Sequence, residues 1–435
     1  MNFDENSLQR SCLEASKKEL LRQIKQYDEQ MRPVMQTKGY QYIQSSERTV
    51  AFLVAGEVRF RRRRYKKGDD WCVPVDEALG LRKNSRYSEA MIQVIAKCAL
   101  LMPYAKTAKF LSEIYDMSLG STTVNKVVKL YHDRLIEQRT YQYYQEDETT
   151  KRKVPIIYIE GDGIYVKAKA NETTNRKIEL SHFVIHEGVQ PVKGKRLKLI
   201  NKHEIMTFSP KEARQQVLDY LYNTYIITAE TILVTNSDGG LGYTPYVFKE
   251  IAKALKVKRH EHFYDAYHVS QMLKQVFRAY SKELLEQAFK AIACHDKQLL
   301  RQTFETAENL LSPNECFQTV KTKLLNQFQY IKPAHLRGLS HRGIGVMESQ
   351  HRKITYRTKR RGMYWTRNGI EIISQMILMA EENTLEEFFS KEWHKAYQKL
   401  KHLETLSADS FKEYPHEDHT LPKSKHNPYV QYRYY

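Results

Sequence analysis

The chain has 435 residues, enough for two or three domains with sizeable cores. Lys and Arg number 70 against 51 Asp and Glu, a formal charge of +19, so an extended polyanion is the natural partner; lysines that merely solvate helices are the plainer alternative. The longest apolar stretches, at 90–102 and 372–380, are short or broken by lysine, which argues against a membrane span.

The first ten residues, MNFDENSLQR, are polar and acidic and do not read as a secretory signal. Cysteines stand at 12, 72, 98, 294 and 316 with no CxxC, as expected of reduced, metal-free thiols in a cytoplasmic protein.

In chain order, residues 7–38 read as a helix, with Leu8, Leu13, Leu20, Leu21 and Ile24 near helical spacing and Pro33 as its expected end. The segment RTVAFLVAGEVRFRRRRYKK alternates apolar and polar residues around an Ala-Gly-Glu turn, the pattern of a β-hairpin. Its second strand carries Arg61, Arg62, Arg63 and Arg64. Such a ribbon can lie along phosphates, and an ordinary solvated edge strand would carry the same residues.

From Ser85 to Arg134 the pattern is helical. One helix has Ala108, Leu111, Ile114 and Tyr115 on its apolar positions. A Leu119-Gly120 turn follows, then Ser121 or Thr122 caps a second helix with Val124, Val127, Val128 and Tyr131. That is the outline of a helix-turn-helix, though helical hairpins in cores share it. The polar stretch 139–153 marks a domain boundary.

VPIIYIEGDGIYVKAKA, IELSHFVIHEG and LKLINKHEIMTF read as three successive strands, and Ser209 with Pro210 opens a helix. TILVTNSDG is a buried strand, LGYTPYVFKEIAKAL a helix and KVKRHEHFYD a fifth strand. The order β-β-β-α-β-α-β is that of a ribonuclease H-like α/β fold. From His268 to about Gln329 the chain is almost wholly helix-forming and is expected to be an all-helical insertion. A further helical pair, split by RRGMYW, buries Ile370, Ile373, Ile377 and Leu378. The tail from about Tyr414 is expected to hang loose. The expected division is 1–46 helix, 47–84 basic ribbon, 85–150 helix-turn-helix, 151–268 core, 269–340 insertion, 341–400 C-terminal core helices and 401–435 tail.

Phosphodiester chemistry needs an activated nucleophile and something to absorb charge on the leaving oxygen. Two divalent cations about 3.5 to 4 Å apart can do both, held by a few carboxylates. Asp162 lies in the first strand of the core between two glycines; alone, Gly-Asp-Gly reads as a hairpin turn or a bulge. Asp238 closes the run TILVT, where its carboxylate emerges at a strand end, or where it makes an Asx turn. Glu348 is spaced for a surface ion pair with Arg352, and Glu371 is its rival.

The set GDGIYVK, SDGGLGY, FYDAYH and MESQHRKITYRTKRRGMYW resembles bacterial insertion-sequence transposases of the ISLre-two type, distant relatives of the Mutator-like transposases. The likeness spans most of the chain. It implies a DDE-type DNA transposase whose Asp162, Asp238 and Glu348 bind two Mg2+ or Mn2+ ions, with His268 beside them; Mutator-like relatives often carry Cys where Asp265 stands. Arg352, Lys359, Arg360, Arg361 and Trp365 become candidate contacts to double-stranded DNA. A homodimer or higher assembly on paired DNA ends, near the bacterial nucleoid, is implied as well. A nuclease of the same fold and a DNA-binding relative without catalysis are the alternatives.

Overall fold

The computed structural model describes residues 4–144, 151–174, 176–192, 197–278, 281–310, 315–359, 361–390 and 392–412. Arg360 and the tail beyond residue 412 lie outside the described residues.

The chain opens on α1 (Glu5–Thr37), capped by the Asp4 side chain accepting from Asn6 N–H. Pro33 lies inside this helix, contrary to expectation, and the helix ends only at Thr37. β1 (Gln41–Phe52) and β2 (Gly56–Lys67) form the expected antiparallel ribbon, extended by the short β3 (Asp70–Cys72) and followed by α2 (Pro74–Ala78). Ile24 of α1 and Val50, Phe52, Val58, Phe60 and Val75 share one small core, so the ribbon is fastened to α1 through its apolar positions.

Three helices follow: α3 (Glu89–Leu101), α4 (Tyr104–Tyr115) and α5 (Ser121–Tyr144). The Gly120 carbonyl accepts the first helical bond of α5 from Val124, 3.2 Å away, so Gly120 takes the cap position expected of Ser121 or Thr122. Val124, Val127, Val128 and Tyr131 are buried as expected, whereas Ile114 is 44 % exposed. The helix runs through the start of the polar 139–153 stretch, and residues 145–150 are outside the described set.

The central sheet is built from β4 (Ile156–Lys167), β5 (Lys177–His186), β8 (His203–Thr207), β9 (Ile232–Ser237) and β10 (Arg259–Tyr264), in the spatial order β10-β9-β4-β5-β8. β9 runs parallel to β4 and β10 parallel to β9, while β5 and β8 are antiparallel to their neighbours. The third expected strand is split in two. Leu197–Leu199 (β7) pairs with Val189–Pro191 (β6) in a side hairpin, and only His203–Thr207 joins the sheet. α6 (Pro210–Thr224), capped by Ser209, and α7 (Pro245–Ala254) cover one face around Ile157, Ile159, Phe183 and Leu233.

α8 (Ala266–Phe277), α9 (Lys282–Ala293), α10 (Lys297–Leu310) and α11 (Glu315–Asn326) are the expected helical segment and close on a core of their own around Leu273, Phe277, Phe304 and Phe317. Two short 3-10 turns, Phe328–Ile331 and Ala334–Arg337, lead back to the sheet. α12 (Met347–Thr358) lies on β4, and α13 (Arg367–Glu381) packs on β8 and α5. Ile370, Ile373, Ile377 and Leu378 are buried, and α14 (Leu385–Phe389) and α15 (Glu392–Lys412) complete the chain described. No described helix is long and apolar enough to cross a membrane.

Asp162 sits in an unbroken strand, neither turn nor bulge: Gly161, Asp162 and Gly163 pair in register with Phe183, His182 and Ser181. The flanking glycines have a steric reason. A Cβ at Gly161 would stand 2.7 and 2.9 Å from the Phe183 ring and 3.0 Å from Tyr243. Gly161→Ala is therefore expected to lose about 1–3 kcal/mol through overpacking. An unchanged urea midpoint would refute that packing argument.

Candidate functional site

On β4 the alternate positions Tyr158, Glu160, Asp162, Ile164 and Val166 face α12 and α13, opposite the face covered by α6 and α7. The apolar members seal both ends of this row, leaving Glu160 and Asp162 as a polar centre. β9 supplies the adjacent row. Glu160 and Asn236 are the last pair of β4 and β9, so Asp162 on β4 and Asp238 just past the end of β9 each lie two residues beyond the same pair, near enough for the charge of Asp238 to act on Asp162.

The electrostatics follow from that register. Burial, then the charge of Asp238, push the Asp162 carboxyl up to about 6. Asp162 also accepts from Gly163 N–H at 2.7 Å, and its other oxygen lies 3.7 Å from His351 Nδ1. Asp238 accepts from Gly240 N–H at 2.8 Å, the Asx turn left open by its sequence, and its carbonyl accepts from Lys323 of α11 at 3.2 Å. Gly239 takes φ +72°, and a Cβ there would strike the Tyr264 hydroxyl, so the turn after Asp238 needs glycine.

Asp265 caps α8, accepting from His268 N–H at 2.9 Å and meeting His268 Nδ1 at 3.0 Å. The Asp265 bond raises the His268 pKa against the opposing effect of burial, with Asp238 and Asp162 adding to the rise. His268 is thus near enough to both aspartates for their charges to act on it.

Glu348 stands apart. It occupies the first turn of α12, its side chain is 63 % exposed, and its ion-pair partner is Arg352 at 3.9 Å. Among the described residues no three His, Cys, Asp or Glu side chains are grouped to hold a metal ion. The rival Glu371 is committed elsewhere, to Arg139 at 2.7 Å and His132 at 3.3 Å.

Several residues of the site escaped the sequence reading. Glu160, 1 % exposed, accepts backbone N–H groups from Gly345, Val346 and Met347 at 2.6, 2.8 and 3.2 Å. Burial raises its pKa to about 7 against those bonds. Asn236 donates to Glu160 at 3.3 Å and to Asp265 at 3.4 Å, linking the three strands. His351 stacks on His182 at 5.3 Å, and His182 meets the buried Glu204 at 2.9 Å. The available signals were a charge and an amide in otherwise apolar strands, each two positions before an aspartate, and a histidine one helical turn after Glu348.

The basic residues divide. Arg62 pairs with Asp76 at 2.9 Å, Arg63 with Asp28 at 2.8 Å, and Arg64 lies over the Trp71 ring at 4.8 Å. Arg62 and Arg63 therefore fasten the ribbon, while Arg61 is exposed. Trp365 is only 5 % exposed; its indole N–H donates to the Thr358 carbonyl at 3.1 Å, and Arg357 lies over its ring at 5.2 Å. It anchors the loop between α12 and α13 and shows little surface to an external partner. Arg361 lies over Tyr356 at 4.6 Å, Arg352 is exposed and Lys359 is half-buried.

A family model described as Uncharacterised protein family (UPF0236) matches residues 1–395. The chain belongs to the UPF0236 family. A Streptococcus gallolyticus relative, the "UPF0236 protein in vanSb 3'region", is 32 % identical over 359 residues, 81 % of this chain and 76 % of that protein. Among solved structures, the Drosophila P element transposase strand transfer complex aligns with TM-score 0.25 and 9 % identity, covering 72 % of this chain and 84 % of that one. A pre-cleavage Mos1 transpososome aligns with TM-score 0.14 and 10 % identity over 57 % and 79 % of the two chains.

Proposed function

We propose that this UPF0236 protein is a DNA transposase of the ISLre-two type, with Asp162, Asp238 and Glu348 as its metal-binding carboxylates. The observation that carries this reading is the aspartate pair, two carboxylates each two residues beyond the last pair of β4 and β9, one of them raised by burial and by the other's charge. An all-oxygen donor set of this kind suits Mg2+ or Mn2+. Bound there, such ions would supply Lewis-acid stabilisation to a phosphoryl group.

The strand order and directions support a ribonuclease H-like core, with α8 to α11 as its insertion. Glu348 would complete the site by turning away from Arg352. An exposed i,i+4 pair is worth about 0.3–0.5 kcal/mol, so that turn costs little. His268, held by Asp265, would donate from Nε2 to a phosphate oxygen. Arg61 on the ribbon, Arg352 and Arg361 around α12, and the exposed Ser121, Thr122, Lys126 and Lys129 at the start of α5 would contact double-stranded DNA. Two copies would hold the paired ends.

Incubating the protein with Mg2+ and a pre-cleaved DNA end tests the reading. Joined products are expected; hydrolysis without joining would leave a nuclease, and neither reaction would remove the enzymatic proposal.

A further inference from the structure

Glu160 is an acidic side chain buried in the sheet, and its contacts explain why it is tolerated there. Three successive N–H groups, of Gly345, Val346 and Met347, converge on it where α12 begins, and Asn236 adds a fourth donor from β9. Those N–H groups have no partner within the helix, and the positive end of its dipole favours a carboxylate there. With four donors already on its two oxygens, Glu160 is poorly placed to ligate anything else.

The consequence lies one residue further on. Glu348 directly follows the clamped segment, and His351, one turn later, sits 3.7 Å from Asp162 on the same face of β4 as Glu160. A helical turn rises about 5.4 Å, close to the spacing of alternate residues on a strand at about 3.3 Å each. Fixing residues 345–347 over Glu160 therefore fixes the first turn of α12 over Asp162. No other described residue contributes a side-chain bond to those three N–H groups.

Resting on the proposed carboxylate site, we propose that Glu160 is its positioning residue, clamping the start of α12 onto β4 so that Glu348 has only to turn its side chain away from Arg352 to join Asp162 and Asp238. Without the clamp α12 keeps its contacts further along, His351 with Asp162 and Lys353 with Glu204 at 3.3 Å, but its first turn loses its hydrogen bonds to β4 and the reach of Glu348 is no longer set.

Mn2+ affinity, read by electron paramagnetic resonance of the full-length protein, tests this apart from activity. Glu160→Ala is expected to weaken Mn2+ binding about 10–100-fold, the usual effect of losing a group that orients a ligand. Glu160→Gln keeps the shape and one acceptor oxygen and should recover part of that loss. Hydrogen exchange at residues 345–348 should quicken in both variants. Gly161→Ala, destabilised on the same strand without touching the clamp, should keep wild-type affinity. If Glu160→Gln and Glu160→Ala bind Mn2+ as the wild type does while Asp162→Ala does not, the positioning role is overturned and the carboxylate site stands. If Asp162→Ala also binds as the wild type does, the site itself is wrong. Should Glu160→Ala fail to fold, Glu160→Gln and its exchange pattern decide the matter.

Discussion

Asp162→Ala is expected to abolish metal-dependent cleavage and joining of element-end DNA while leaving DNA binding intact. Asp162 lies in mid-strand beside Asp238, so its removal takes away a carboxylate without disturbing the basic surfaces of the ribbon and α12. Loss of transition-state stabilisation worth several kcal/mol corresponds to about a thousandfold in rate or more. The fold should not suffer, because burial and Asp238 disfavour the charged carboxylate in the absence of a cation. A raised carboxyl pKa means stability falls as pH rises from about 4 through about 6, so the metal-free variant should melt no lower than wild type at pH 7.5. Mn2+ should raise the melting temperature of the wild type and do so much less in the variant. Unchanged cleavage in Asp162→Ala would sink the catalytic assignment.

A second large effect is expected from acid. His186, His203 and His260 are lowered by burial to about 4, and His262 and His351 to about 3. Each stays neutral in the fold while its unfolded counterpart takes up a proton near 6.5. The stability they contribute is therefore present above about pH 6.5 and is lost as pH falls toward 4 or below. A drop from 6.5 to about 4 is worth at most about 3 kcal/mol for each such histidine. Asp162, Glu160, Glu382 and His268, all raised, act in the opposite sense, since each takes up its proton more readily in the fold over part of the same window. Five strongly lowered histidines against these four groups leave a net loss, expected as a fall in melting temperature of roughly 10 °C or more between pH 7 and 4.5. His203 stacks flat on Tyr220 at 3.8 Å, and His203→Phe should make the profile shallower. A melting temperature that does not change over this range would refute the argument.

Much of the scaffold was legible because its signals are local. The alternation through 47–67 and the Ser209-Pro210 start of α6 depend on a few neighbouring residues, and each came out where its pattern placed it. Pro33 misled because a proline weakens a helix without always ending it: it removes one N–H bond to the preceding turn, yet α1 continues one more turn to Thr37. The third strand of the core misled because an apolar alternation does not say which partner it pairs with; LKL found β6 and HEIMT found β5. The arginine run misled in part. Charge density in the sequence does not reveal that Asp28 and Asp76, distant along the chain, already engage Arg63 and Arg62.

For the site the division is sharper. Residue order was enough to place Asp162 on the first core strand and Asp238 at the end of a buried one, because both lie in segments whose strand character is intrinsic. Their adjacency, and the raised carboxyl that results, required the parallel register of β4 and β9, a long-range pairing that no local pattern encodes. Glu348 shows the same limit from the other side. Its spacing to Arg352 was plain in the sequence, whereas its place relative to the aspartates depends on how α12 is seated on the sheet, through the hydrogen bonds at Glu160 and the contacts of His351 and Lys353, which form only once sheet and helix have come together.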